Sequence, residues 1–331
     1  MKYLSSISTG TRRLAAVFGG IALALGAVAI GPASASFSGA ARLTWVASWA
    51  ASPMPGTSSA QATTGLPNQT VDNYIASGNR ASDAAATGYT TTTGSWYYVD
   101  GLDVRSSTAA GTIVAFGDSI TDGYQSLAGS NARWPNYLAR RLDRALGTRA
   151  PGVVDEGISG NRVLNNSSCF GVSARARFAR DALSQPGVKA VILLEGINDI
   201  GFAGEADTGC YTPNDPTVTA ARIEAGYLDL IRMAHARGVK VYGGTLTPFA
   251  GSNPGYGGNY GTAKGETLRE QVNDWIRTSG AFDGVIDFAR ATADAYDPLY
   301  LNPVYNSGDS LHPGDLGYEA MAATVPLRFV R

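Results

Sequence analysis

The sequence predicts an α/β fold in which a five-stranded, mainly parallel β-sheet lies between two layers of helices, behind a short irregular region with some β-structure. Two observations predict it. From Gly111 onward, short apolar runs alternate with longer amphipathic segments, the patterns of buried strands and of surface helices. Glycines lie just past three of the amphipathic segments, where helices commonly end, at Gly147, Gly187 and Gly238. Strands that alternate with helices form parallel sheets with both faces covered.

The first 35 residues have the composition of a secretory signal peptide. Basic residues precede an apolar run from Leu14 to Ile30, and Ala33 and Ala35 place small side chains at the positions that determine cleavage. A membrane anchor is the alternative, because the run is nearly long enough to span a bilayer. Cleavage after Ala35 predicts a secreted, extracellular protein without a stable membrane anchor.

Residues 36–110 form a separate N-terminal region, rich in Ser, Thr and Ala, ahead of a domain at residues 111–331. The region shows little helical periodicity, and its threonines and aromatic residues are typical of a few β-strands within irregular structure. Its tryptophans and tyrosines either pack on the following domain or bind a sugar.

The elements of the domain at residues 111–331 follow from its hydrophobic pattern in chain order. The apolar runs predict strands at Ile113–Phe116, Val153–Val154, Ala190–Leu194, Val239–Tyr242 and Val285–Phe288. The amphipathic segments predict helices at Arg133–Leu146, Ala174–Leu183, Ala220–Ala236 and Thr267–Thr278.

Charge limits the partners. The chain has 26 Lys and Arg against 27 Asp and Glu, a formal net charge of -1. The basic residues are scattered and form no stripe or patch, so we expect no nucleic-acid partner. We expect the protein to be a monomer.

The two cysteines, Cys169 and Cys210, are an even number in a chain that we expect to be exported. Export leads to an oxidising compartment, where such a pair commonly forms a disulfide. Two unpaired, buried thiols are the alternative. A cysteine nucleophile is disfavoured, since Cys169 lies in a loop-like stretch with no base nearby in the sequence.

Ser119 follows directly on the first predicted strand, in the stretch "FGDSITDG". Gly, Asp and Ser are ordinary turn residues, so a strand cap is one interpretation. The other is a nucleophile, because sites in parallel α/β sheets lie outside the carboxyl ends of the strands.

The chain has two histidines, and they differ in their surroundings. His235 lies in the last turn of a predicted helix, where helix-end electrostatics explain it. His312 lies three residues after Asp309, close enough for the carboxylate to orient the imidazole as in a Ser-His-Asp arrangement. An Asp-Ser turn that caps the last helix is the alternative for this second stretch.

Two further strand ends offer hydrogen-bond donors. Asn198, in "GINDIG", would project from the same sheet edge as Ser119, and its side-chain amide can donate to a developing oxyanion. Gly160, in "GISGN", has no side chain, so its N–H can approach a ligand closely. Taken singly, each stretch is also explained as a loop between a strand and a helix.

The blocks "FGDSITDG", "GISGN", "GINDIG" and "DSLHP" together resemble the SGNH, or GDSL, hydrolase family, over about residues 111 to 331. The resemblance implies the flavodoxin-like, three-layer α/β/α fold of that family, and it implies no metal or cofactor. It also implies a role for each matched residue: Ser119 as nucleophile and backbone donor, Gly160 and Asn198 as the other oxyanion donors, His312 as base, and Asp309 as the orienting acid.

The expected function is therefore that of a secreted serine hydrolase that cleaves carboxylic esters through an acyl-enzyme. The substrate would be a small-molecule, lipid or acylated carbohydrate ester, including short-chain acyl and polysaccharide acetyl esters. A Gly-, Asn- and Tyr-rich loop at Pro248–Gly265 is expected either to border the site as a mobile rim or to be a plain surface loop. Two rivals are a metal-dependent phosphoesterase, suggested by the many carboxylates, and a non-catalytic carbohydrate-binding protein.

Overall fold

The computed structural model describes residues 43–50, 73–80, 82–93, 101–205 and 209–329 of the 331-residue chain. The predicted signal peptide lies outside these residues. Within the described ranges, none of the helices combines the length and the apolar character that crossing a membrane requires.

The N-terminal region contributes two small antiparallel ribbons. One pairs strand β1 with β4 and the other pairs β2 with β3. The strands are β1 Thr44–Ala50, β2 Asn73–Ile75, β3 Thr91–Thr93 and β4 Gly101–Ser106. The short β-structure predicted ahead of the main sheet is therefore present.

The main sheet has five strands, all of them parallel, in the spatial order β6-β5-β7-β8-β9. They are β5 Thr112–Gly117, β6 Gly152–Gly157, β7 Val188–Leu194, β8 Lys240–Gly244 and β9 Gly284–Ile286. Every residue of β5 is buried, as expected for a central strand with helices on both faces. The predicted α/β fold and its parallel sheet are confirmed.

The helices form two packed groups, α2 with α8 and α9, and α3, α4 and α7 around α5 or one another, on either side of the sheet. Their bounds are α1 Ser119–Asp122, α2 Trp134–Leu146, α3 Ala174–Asp181, α4 Ile197–Phe202, α5 Ala220–His235, α6 Asn253–Tyr256, α7 Ala263–Thr278, α8 Phe288–Thr292 and α9 Asp315–Thr324. Single 3-10 turns occupy Gly147–Arg149 and Leu327–Phe329.

Two boundaries differ from the prediction because side chains cap helices there. The last strand ends at Ile286, since the Asp287 side chain accepts a hydrogen bond from the Arg290 N–H and begins α8 at Phe288. Helix α7 begins four residues before the predicted Thr267, since the Thr262 side chain accepts from the N–H of Gly265. Short polar caps of this kind override the hydrophobic pattern.

Strand β1 is attached to the amino-terminal edge of the main sheet. The Ala47 N–H donates to the Pro186 carbonyl at 3.1 Å, and it lies 2.9 Å from the Thr112 hydroxyl. Thr112 is the first residue of β5, and Pro186 just precedes β7. This ribbon therefore lies at the opposite end of the sheet from the carboxyl ends of the strands. The domain boundaries proposed above stay a prediction.

Candidate active site

Ser119 is held at the carboxyl end of the central strand by a short, capped helix. Strand β5 ends at Gly117, and the Asp118 side chain accepts a hydrogen bond from the Ile120 N–H at 3.0 Å. Ser119 is the first residue of α1, and only 6% of its surface is exposed. The cap and the buried strand together fix the position of its hydroxyl.

The structure brings Ser119, His312 and Asp309 together in one hydrogen-bonded chain. The Ser119 Oγ lies 2.8 Å from His312 Nε2, and His312 Nδ1 lies 2.8 Å from Asp309 Oδ2. A carboxylate can only accept, so Nδ1 carries the proton and Nε2 is left to accept from the serine hydroxyl. The arrangement can withdraw a proton from Ser119 as its oxygen attacks an electrophile.

The turn at residues 309–312 fixes both members of the acid–base pair. The other carboxylate oxygen of Asp309 accepts from the backbone N–H groups of Leu311 and His312, at 2.9 and 2.8 Å. Burial alone would raise the pKa of Asp309, but these N–H groups and the His312 side chain hold it well below its usual range. Asp309 is therefore a carboxylate at neutral pH and can stabilise a positive charge on the imidazole.

Gly160 and Asn198 flank Ser119 on the two neighbouring strands. Gly117 of β5 pairs with Gly157 of β6 on one side and with Leu194 of β7 on the other, so the three loops leave the same sheet edge together. The Asn198 side-chain nitrogen donates to the Asn161 carbonyl at 2.8 Å, which joins the second loop to the third.

Gly160 cannot carry a side chain at its position. Its φ is 74°, in the left-handed region, and a Cβ here would collide with the ring of Phe170. The ring packs over the backbone of the loop, so the loop can stay this close only with glycine at position 160.

A buried arginine, which the sequence reasoning missed, ties these strand ends together. The Arg177 guanidinium donates to the carbonyls of Gly117 and Glu156, at 2.7 and 2.8 Å, and to the Asn161 side chain at 2.9 Å. It also lies 3.5 Å from the Glu195 carboxylate. No sequence signal marks this residue, because α3 carries other arginines at similar spacing.

Three acidic groups lie beneath the site. Burial raises the pKa of both Asp118 and Glu195, and their mutual repulsion adds to this, while Arg177 opposes it. Burial also raises the pKa of Asp199 to about 6, against the backbone N–H groups of Val163 and Leu164, which donate to its carboxylate. Asp199 thereby holds the loop that follows Gly160.

Two tyrosines from the loop at Pro248–Gly265 also reach the site. The Tyr256 hydroxyl contacts Asp309 and His312, and the Tyr260 hydroxyl contacts Asn198. The loop was expected to border the site, but the targets of these hydroxyls had no sequence signal. The loop is packed rather than an open rim, since Tyr260 is only 2% exposed.

His235 lies away from Ser119, near the amino-terminal edge of the sheet. It ends α5, just before β8, and its Nε2 lies 2.8 Å from Asp283 Oδ2. The same carboxylate oxygen accepts from the Val241 N–H. These contacts agree with a structural role at a helix end.

The predicted disulfide between Cys169 and Cys210 is present in the structure, with Cα atoms 5.1 Å apart. It joins the loop that follows Gly160 to the loop that follows α4. Arg162 reinforces this junction, since its guanidinium donates to the carbonyls of Thr212 and Pro213 at 3.0 and 2.6 Å.

Removing the disulfide should lower the stability of the protein. The bridge closes a separation of 41 residues, which in the chain-entropy model corresponds to at most about 4 kcal/mol of unfolding free energy. We expect the Cys169→Ser/Cys210→Ser variant to unfold at lower denaturant concentration than the oxidised wild type. Reductant should shift the wild-type midpoint toward that of the variant and leave the variant unchanged. Equal midpoints in oxidised wild type and variant would contradict the prediction.

Comparison with solved structures supports the fold. The M. smegmatis aryl esterase aligns at 14% identity and a TM-score of 0.50, over 66% of this chain and 99% of its own. The Enterococcus faecalis lipase/acylhydrolase aligns at 21% identity and a TM-score of 0.46, over 64% of this chain and 92% of its own. The Sinorhizobium meliloti carbohydrate acetylesterase Est24 aligns at 17% and 0.45, over 64% and 94%. No curated protein sequence matches the chain significantly.

The sequence itself places the chain in a family. Residues 115–320, well over half of the chain, match the profile of the GDSL-like lipase/acylhydrolase family. The matched segment begins within β5 and ends within α9, so it contains the five-stranded sheet and all of the residues gathered at its carboxyl edge. The chain therefore belongs to the GDSL-like lipase/acylhydrolase family and is a carboxylic ester hydrolase.

Proposed function

We propose that the protein is a secreted serine esterase that works through an acyl-enzyme on Ser119. The observation that carries the proposal is the chain of two 2.8 Å contacts from Ser119 through His312 to Asp309. It stands at the carboxyl edge of a parallel sheet, where this class of fold places its sites.

In the proposed mechanism, His312 Nε2 takes the proton of Ser119 as its Oγ attacks the carbonyl carbon of the ester. The Asp309 carboxylate stabilises the imidazolium that forms. His312 then returns the proton to the leaving alcohol as the C–O bond breaks and the acyl-enzyme forms. A water molecule, deprotonated by His312, releases the acid and regenerates Ser119.

The negative charge on the carbonyl oxygen requires donors at the sheet edge. We assign this role to the backbone N–H groups of Ser119 and Gly160 and to the side-chain amide of Asn198. The Asn198 nitrogen has two hydrogens, and Asn161 accepts only one of them. The second is available to the oxyanion.

Asn198→Ala should lower kcat by roughly a hundred- to a thousandfold, because the amide acts on the charge that develops in the transition state. We expect KM to change little. Steady-state kinetics on a nitrophenyl ester measure both constants, and the thermal midpoint shows whether the variant stays folded. A loss confined to KM would place Asn198 in ground-state substrate binding instead.

The substrate class that we propose is a lipid, short-chain acyl or polysaccharide acetyl ester. Hydrolysis rates on a chain-length series of nitrophenyl esters, measured beside acetylated xylan and a phospholipid, distinguish these possibilities. A steep optimum at acetate would favour a carbohydrate or other short-chain ester, and a rate that rises with chain length would favour a lipid.

Two of the rivals are not favoured by the family match, and one experiment separates them from the esterase. Among the described residues, no group of three or more His, Cys, Asp or Glu side chains is arranged to hold a metal ion. A serine-directed fluorophosphonate should abolish ester hydrolysis, while a chelator should leave it unchanged. Loss with the chelator alone would favour a metal-dependent phosphoesterase, and no turnover at all would favour a binding protein.

Export is the remaining part of the proposal. It rests on the composition of residues 1–35 and on the disulfide, which forms readily in oxidising compartments. Expression of the full chain in a bacterial host, followed by N-terminal sequencing of the protein in the medium, tests it. A mature chain that begins at Ser36 is the expected result.

A further inference from the structure

The loop at Pro248–Gly265, here called the tyrosine loop, contacts both halves of the proposed machinery. We propose that Tyr256 and Tyr260 are positioning residues, Tyr256 for the acid–base pair and Tyr260 for the oxyanion donor Asn198. The proposal rests on the proposed function and adds to it two residues outside the four sequence blocks.

Tyr256 shares one carboxylate oxygen with the imidazole. Its hydroxyl donates to Asp309 Oδ2 at 2.9 Å, the atom that also accepts from His312 Nδ1 at 2.8 Å. The hydroxyl lies 3.3 Å from Nδ1, and its ring is edge-on to the imidazole at 5.7 Å between centroids. Burial, and then the Asp309 charge, raise the pKa of Tyr256, so the phenol stays protonated and must act as the donor.

Tyr260 fixes the orientation of the Asn198 amide. The carbonyl of Asn161 can only accept, so the Asn198 atom that faces it must be the nitrogen. The opposite atom is then the amide oxygen, and it accepts from the Tyr260 hydroxyl. A flipped amide would lose both bonds and would turn its oxygen toward the oxyanion.

The tyrosine loop is itself anchored to α4, the helix that carries Asn198. The Tyr260 ring packs directly on Gly201, where a Cβ would collide with it, and the Asn259 N–H donates to the Gly201 carbonyl at 2.9 Å. The rings of Tyr256 and Tyr260 lie 5.6 Å apart. The loop therefore links the oxyanion side of the site to the acid–base side through two adjoining rings.

The two hydroxyls should have different effects on the pH dependence. Without Tyr256, the Asp309 carboxylate keeps His312 as its principal donor, binds it more strongly, and stabilises the imidazolium. The other groups that face the pair are Ser119, the amide of Gln125 and Tyr124, whose pKa is raised by burial and by Asp309, so it stays neutral. The acid limb of kcat/KM should therefore move to higher pH in Tyr256→Phe. Tyr260 contacts neither group and should leave that limb in place.

The test uses Tyr256→Phe, Tyr260→Phe and the control Tyr242→Phe, each in the full mature chain. Tyr242 is a buried tyrosine of β8 whose ring stacks on Phe329, away from the site. We expect kcat to fall about tenfold in each of the first two variants, the effect of losing one hydrogen bond to a charged or transition-state group, with KM little changed. The control should keep the wild-type rate and pH profile.

Two further readouts separate positioning from a loss of stability. Tyr256→Phe should move the acid limb upward by about half a pH unit, since a fraction of one hydrogen bond is redistributed. Tyr260→Phe should weaken a trifluoromethyl ketone, which forms a tetrahedral oxyanion adduct, by the same factor as kcat/KM. Variants that differ from wild type only in thermal midpoint, or that match Tyr242→Phe in every constant, would overturn the inference. An active Ser119→Ala variant would instead overturn the proposed function.

Discussion

Ser119→Ala is expected to lower the turnover of a nitrophenyl ester by several orders of magnitude while the protein stays folded. The substitution removes the oxygen that attacks the ester and leaves only the contribution of the oxyanion donors and of binding. It also removes the 2.8 Å contact to His312 Nε2. Steady-state rates and the thermal midpoint, measured on the same preparations, give the two quantities that the prediction needs.

Ser130→Ala is the matched control. This serine is exposed, eleven positions further along the chain, and its hydroxyl contacts only the nearby Leu127 carbonyl. A fluorophosphonate should label the wild type and the control at Ser119 and should fail to label Ser119→Ala. A folded Ser119→Ala variant with wild-type turnover would show that the nucleophile has been misassigned.

His312→Ala should lose as much activity as the serine variant, because a nucleophile and its base act as one unit and their effects do not add. His312 is the histidine that contacts both Ser119 and Asp309, and it is 3% exposed. The double variant Ser119→Ala/His312→Ala should therefore be no less active than either single variant. Turnover of all three, with added imidazole as a rescue of the missing base, measures this directly.

His235→Ala supplies the control for the second histidine. Its partner is Asp283, near the amino-terminal edge of the sheet, so the variant should keep most of its activity and lose only a little stability. Comparable losses of activity from both histidine variants would mean that the base, or the role of the helix end at His235, has been wrongly identified.

The sheet was predictable because each of its strands is a short apolar run bounded by glycine or polar residues. Strands β5 and β7 are buried over most of their length and leave little ambiguity. Boundaries were less certain, as β9 shows. Phe288 continues the apolar run of the strand, yet the Asp287 cap makes it the first residue of a helix. The hydrophobic pattern records burial, and both elements bury this residue.

The candidate site was predictable where its residues lie immediately after strands, as Ser119, Gly160 and Asn198 do. Their proximity follows from the parallel topology alone. Arg177, Tyr256 and Tyr260 could not be found in the same way, since they come from a helix and a loop whose composition suits any surface. What distinguishes them is the backbone or side-chain atom that each one meets, which only the folded chain determines. The catalytic roles themselves stay predictions.

The position of Arg177 has a consequence for how the protein acquires activity. One guanidinium binds the ends of β5 and β6 and lies against Glu195 at the end of β7, although these points are separated by dozens of residues along the chain. No fragment that lacks one of the three strands can satisfy this buried charge. A half-formed molecule therefore has no partly working site, and ester hydrolysis during refolding reports the completion of tertiary structure and not its beginning.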